Sequence, residues 1–179
     1  MRRFENGRRC LLAAIAVATV AMACGSKADD SADAGPPPMG FDSARIRLMS
    51  RTETTTVRAE LAVDSAQRTM GLMERRSLAP DAGMLFLFDS TQAADRGFWM
   101  FRTRIPLDIA YIDSAGTIRS ILHMEPCRTM LAQGCPTYPA GAPFRAALEM
   151  NGGYFARHSV QVGDRVVLAD TTERLSHTS

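Results

Sequence analysis

The stretch 107–124, LDIAYIDSAGTIRSILHM, decides the fold. Two apolar-rich runs, Leu107–Ile112 and Thr117–Met124, flank Asp113-Ser114-Ala115-Gly116, a turn signal that reads as a β-hairpin. The same strand-like texture extends outward in both directions. Ile46 and Leu48 alternate with arginines, and Val57, Ala59, Leu61 and Val63 alternate with Thr, Arg, Glu and Ala, the period of a half-buried strand. Met84–Phe88 is a fully apolar run between Gly83 and Asp89, which suits a buried strand. Phe144–Met150 and Arg165–Ala169 complete the set. Two short helices interrupt it, one over about Ser65–Met73 with Asp64 or Ser65 as its cap, the other near Gly153–His158. Six to eight short strands with one or two small helices predict a mainly β domain, a compact sandwich or barrel.

The N-terminus carries an address. Arg2, Arg3, Arg8 and Arg9 precede an apolar run, Leu11–Met22, interrupted only by Thr19 and ending in Ala21-Met22-Ala23-Cys24. Positive, apolar, then small residues is the layout of a secretory signal peptide over residues 1–23. These twelve residues span roughly 18 Å as a helix, short of the roughly 30 Å hydrocarbon core of a bilayer. Cys24 directly after the small residues resembles a bacterial lipoprotein cleavage site, with its thiol as the lipid attachment point. Ala21, where lipoprotein signals usually carry Leu, leaves a plain Ala-x-Ala secretory cut as the alternative. Gly25 after the cysteine is the residue expected when such an anchor moves on to an outer membrane. Residues 24–43 are then the anchor and a flexible tether, stiffened by Pro36-Pro37-Pro38. Residues 44–170 form one globular domain, and 171–179 a polar tail. The expected location is the bacterial cell envelope, lipid-anchored or periplasmic/extracellular.

Charge narrows the partners. The chain has 21 basic and 19 acidic residues. Removing the signal takes away four arginines and Glu5, leaving 17 basic and 18 acidic. A near-neutral chain without a polybasic patch does not fit nucleic-acid binding. Its expected partners are the membrane, through the anchor, and a glycan, peptidoglycan fragment or small molecule. Met70, Met73, Met84 and Met150 sit among apolar residues, where Met fills core gaps, and no dense Met array marks a copper site. No Gly-x-Ser-x-Gly, His-Glu-x-x-His, phosphate loop or metal-spaced His/Cys cluster is present, so no cofactor and no metal are expected. Cys10 leaves with the signal and Cys24 takes the lipid. The remaining pair in an exported chain, Cys127 and Cys135, reads as a disulfide.

Three blocks in order carry a family likeness: RTMGLMERRSL (68–78) leading to GMLFLF (83–88), FWMFRTRIPLDIAYID (98–113), and PC…CPTY (126–138) followed by VGDRV (162–166). Together they resemble the domain-of-unknown-function family numbered 192, over about residues 46–168. The resemblance implies a compact, mainly β, jelly-roll-like domain and no established reaction. Related chains often have Lys-Asn where Phe101-Arg102 stands here, whereas Trp99, Met100, Thr103, Pro106, Leu107 and Asp108 fit the pattern.

Some residues invite a functional reading. Trp99 alternates with Phe98 and Met100, so it faces away from both, either into the core or as an aromatic platform in a cleft. Asp108 falls inside an apolar run and needs a partner if buried. Arg68, Arg75, Arg102 and Arg104 are available for a structural ion pair, and a ligand-binding role is the alternative. Glu149, in ALEMN, poses the same question. Asp113 reads as a turn residue bonding its own backbone. His123 and His158 read as partly exposed polar residues. Trp99, Asp108 and Glu149, with Thr103 and Arg68, make the candidate ligand site. Three functions remain open: a binding module, a hydrolase or lyase with Asp108 or Glu149 as general acid/base, and an envelope adaptor without a cleft. The binding module needs a pocket holding Trp99 and a charged residue. The enzyme also needs a carboxyl with a raised pKa.

Overall fold

In the computed structural model, which describes residues 40–129 and 131–169, strands dominate. They are β1 (Ser43–Met49), β2 (Thr54–Ala62), β3 (Ala82–Gln92), β4 (Gly97–Trp99), β5 (Leu107–Ile112), β6 (Ile118–Met124), β7 (Thr137–Pro139), β8 (Phe144–Asn151) and β9 (Arg165–Leu168). Helix α1 (Ser65–Met70) lies between β2 and β3, and α2 (Tyr154–Arg157) follows β8. The predicted signal peptide, Cys24, most of the tether and the tail lie outside the described residues. Among those described, no helix is long and apolar enough to cross a membrane.

Seven strands make one curled sheet, a half-barrel, in the order β6-β5-β8-β3-β2-β1-β9; β4 and β7 pair separately. The mainly β expectation holds. The β2–β3 pair is parallel and every other pair is antiparallel. Backbone bonds from Ile118 N to Asp164 O (2.9 Å) and from Val166 N to Gly116 O (2.8 Å) tie β6 to the start of β9 and draw the two ends of the sheet together. The predicted hairpin forms. Asp113 Oδ1 accepts from the Ala115 and Thr117 amides, each at 2.9 Å. Helix α1 starts where its cap predicts, with Asp64 and Gln67 completing a reciprocal capping box.

Alternation sorts the sheet residues into two cores. Leu85, Ala110, Ile112, Leu148 and Met150 face the inside of the curl, where Tyr154, Phe155 and Val160 fill it. Met84, Phe86, Ile109, Tyr111 and Ala147 face the other way, against Leu72, Met100, Phe98 and Tyr138. All six residues of β5 are buried, because both faces of that strand are covered. The second face supports the site, since α1, the turn after it and β4 lie over it.

Cys127 and Cys135 are joined, eight positions apart and 5.6 Å between Cα atoms. A loop this short constrains the unfolded chain by about 2–3 kcal/mol on the entropy model. The loop precedes β7, which pairs Tyr138 with Phe98 of β4.

Candidate functional site

On the second face of the sheet, a cleft of about 470 Å³ opens between α1 with its following turn, the end of β3, and β4. Its buried lining is Leu72, Phe86, Thr103 and Glu149; its exposed lining includes Asp89, Arg96 and Trp99. Four of the five predicted ligand-site residues, Arg68, Trp99, Thr103 and Glu149, therefore share one cleft.

Glu149 is the chemical centre of the floor. It lies on β8 opposite Met84 of β3 and Ile109 of β5 and is 4% exposed. No hydrogen bond or ion pair reaches its carboxyl from the described residues, where every side-chain oxygen or nitrogen sealed from the surface has a partner. The unpartnered carboxyl oxygens therefore open to the cleft. Burial disfavours the charged form and raises the pKa of Glu149 to about 8, so at neutral pH it is mostly a neutral acid.

Gly83 makes this placement possible. It pairs with Met150, and a Cβ there would stand 2.4 Å from the Glu149 carbonyl oxygen and 2.4 Å from Met150 Sδ.

The walls are aromatic. Phe86 and Phe98 meet edge to face at 4.8 Å, and Phe98 meets Tyr111 at 5.8 Å. Trp99 is 44% exposed at the mouth, 5.9 Å from the Phe101 ring. The core reading of Trp99 is thus corrected. Its parity relative to Phe98 and Met100 is as expected, but the face shared by those two is the buried one.

Arg68 donates through Nη1 to the carbonyls of Val63 (2.6 Å) and Leu87 (2.8 Å) and lies 5.1 Å over the Phe88 ring. It ties α1 to β3 along one wall. Just beyond the lining, the turn after α1 is clamped at Glu74, whose amide donates to Arg102 O at 2.8 Å. The Glu74 carboxylate accepts from Arg102 Nε at 2.6 Å and also from Arg104. These two guanidiniums, Arg102 foremost, hold the Glu74 carboxyl below its ordinary range. Glu74 and Arg102 both have positive φ, 62° and 57°. Asn adopts that conformation more readily than Arg, so the left-handed backbone at Arg102 is held by its contacts with Glu74.

Asp108 belongs elsewhere. Along β5 it alternates with Ile109, and it pairs with Met150 rather than Glu149, so Asp108 and Glu149 point to opposite faces of the sheet. The expected Arg–Asp pair is also corrected. Arg75 binds Glu60 (2.6 Å), and Arg102 and Arg104 bind Glu74. The partner of Asp108 is His123, directly across the hairpin, at 2.7 Å from Nδ1. His123 Nε2 lies 3.1 Å from Glu125. The Asp108 bond, followed by Glu125, raises the pKa of His123. Sequence reasoning missed this pair as well as the Glu74 clamp. Among the described residues no three His, Cys, Asp or Glu side chains are grouped to hold a metal ion.

Comparison with known proteins adds family and fold. A family model described as DUF192, Uncharacterized ACR, matches residues 46–168. A crystal structure from Sinorhizobium meliloti 1021, named provisionally as a transcription regulator, is 37% identical with a TM-score of 0.66, over 73% of this chain and 96% of that one. A protein of unknown function from Novosphingobium aromaticivorans DSM 12444 is 32% identical with a TM-score of 0.65, over 73% of this chain and 89% of that one. No curated protein matches significantly.

Proposed function

We propose that this chain, which belongs to the DUF192 family, is a lipid-tethered envelope protein that binds a small organic molecule or a glycan or cell-wall fragment in the Glu149 cleft. One observation carries the reading: a buried, unpartnered carboxyl faces an aromatic cleft large enough for a sugar-sized ligand. A buried acid without an internal partner lowers stability, and such groups concentrate at functional sites. Trp99 at the mouth and Thr103 in the floor supply a stacking face and a hydroxyl.

The raised pKa of Glu149 also favours a second reading, a general acid in an envelope hydrolase or lyase. Acid/base chemistry at a sugar usually needs a second carboxyl across the bond. Here the other acid in the lining, Asp89, stands at the exposed end of β3, five positions from Met84, the residue opposite Glu149, and not beside Glu149 in the buried floor. Binding therefore leads. Regulation by direct DNA contact, which the provisional name of the Sinorhizobium protein suggests, finds no support in a mature chain of 17 basic and 18 acidic residues.

Trp99 is the chain's sole tryptophan, so its emission reports cleft occupancy. Titration with muropeptides and oligosaccharides is expected to shift that emission for at least one fragment, and Trp99→Ala to weaken binding, measured calorimetrically, by about tenfold. If no fragment moves the emission and soaked crystals show an empty cleft, the binding reading is wrong. The anchor is tested separately. Cys24→Ala is expected to move the protein from the membrane fraction to the soluble fraction, and an unchanged distribution would count against lipidation.

A further inference from the structure

The cleft also indicates which end of a ligand goes in first. We propose that it takes an organic primary amine, with the ammonium group pairing with the Glu149 carboxylate and the body lying against Phe86, Phe98 and Trp99. The proposal rests on the binding reading above and adds a ligand class to it.

Three observations support it. Among the described residues no cation pairs with Glu149: Arg68 is committed to two backbone carbonyls, Arg75 to Glu60, and Arg102 and Arg104 to Glu74, and Arg96 lies in the exposed part of the lining. Burial alone accounts for its protonation, with no charged neighbour offsetting it. A carboxylate in such a site gains far more from a full positive charge than from a neutral hydroxyl. The surrounding rings then add to the preference, since aromatic faces attract cations and exclude water.

The ionisable groups on the elements packed around Glu149 are few. Tyr111 on β5 gives its hydroxyl to Tyr138 O, and burial keeps it protonated well above its ordinary range. Arg68 on α1, Asp89 at the end of β3 and Arg96 before β4 complete the lining. None of the three offsets the effect of burial on Glu149.

Binding an ammonium ion requires Glu149 to ionise, so its proton passes to the buffer. An alkylammonium, like that of lysine, stays charged to about pH 10. Cyclohexylmethylamine is the test ligand and cyclohexylmethanol its neutral isostere, followed by Trp99 emission and by calorimetry in two buffers of different ionisation heat. The amine is expected to bind at least about tenfold tighter than the alcohol at pH 8. Its affinity is expected to rise by up to about tenfold per pH unit from 6 towards 8, with nearly one proton released at pH 7. Glu149→Gln, an isostere that leaves no buried acid, is expected to remove both the preference and the proton release. An alcohol that binds as tightly as the amine overturns the proposal while leaving the cleft a binding site. Silence towards both ligands also overturns it, and together with an empty fragment screen it removes the reading beneath it.

Discussion

Glu149→Gln is expected to stabilise the folded chain at pH 8 and to erase most of a pH dependence worth roughly 5 kcal/mol. The carboxyl is raised by burial from 4.5 to about 8 in the folded state. Between those values the folded chain holds a proton that the unfolded chain has released. Stability is therefore full below about pH 4.5, falls as pH rises, and levels off above about 8, at close to 1.4 kcal/mol per unit. Urea denaturation of both proteins at pH 5 and pH 8 isolates the contribution, because the other titrating groups are shared. The difference between the two proteins should open toward pH 8. Parallel pH profiles would mean that Glu149 is solvated or paired, and the floor of the cleft is then not what it is described to be.

Gly83→Ala is expected to destabilise the fold by about 3 kcal/mol. The added methyl would meet the backbone carbonyl of Glu149 at 2.4 Å, and no side-chain rotation relieves a clash with backbone. Relief requires β8 to move off β3 at the residue that carries the buried acid. The variant should therefore lose ligand affinity beyond what its stability predicts, a comparison made at a temperature where both proteins are fully folded. A variant as stable as the parent would show that β3 and β8 stand further apart at Gly83 than the register indicates.

Much of the frame was legible because local signals agreed with tertiary ones. The turn at Asp113–Gly116 and the capping pair Asp64 and Gln67 are local devices, and each element forms where its sequence signal lies. Strands β4 and β7 are three residues long and pair across some forty positions, so no local window contains their partner. Whether a buried strand has one covered face or two is likewise a tertiary property, as the six buried residues of β5 show.

The site was half legible. Glu149 stood out as an acid in an apolar run, and its burial without a partner makes that polarity the anomaly of the floor. Asp108 stood out equally, but its partner was hidden by one irregularity. Counting from the turn, where Ile112 pairs with Ile118, a regular hairpin sets Asp108 opposite Leu122. The register shifts by one residue between Tyr111 and Ile112, and Asp108 meets His123 instead. A one-residue slip exchanges the faces of a strand, and nothing in the composition of the hairpin announces it. For Trp99 the sequence leaves core and cleft both open for a related reason: alternation says which residues share a face but not which face is covered.

Whether the cleft floor holds a buried, cation-binding acid is read from the titration of the Glu149 side-chain carboxyl, followed by carbon-13 NMR with and without cyclohexylmethylamine. The free protein is expected to show a midpoint near pH 8 and a lower midpoint when the amine is present. A midpoint in the ordinary carboxylate range, unmoved by the amine, would contradict both expectations.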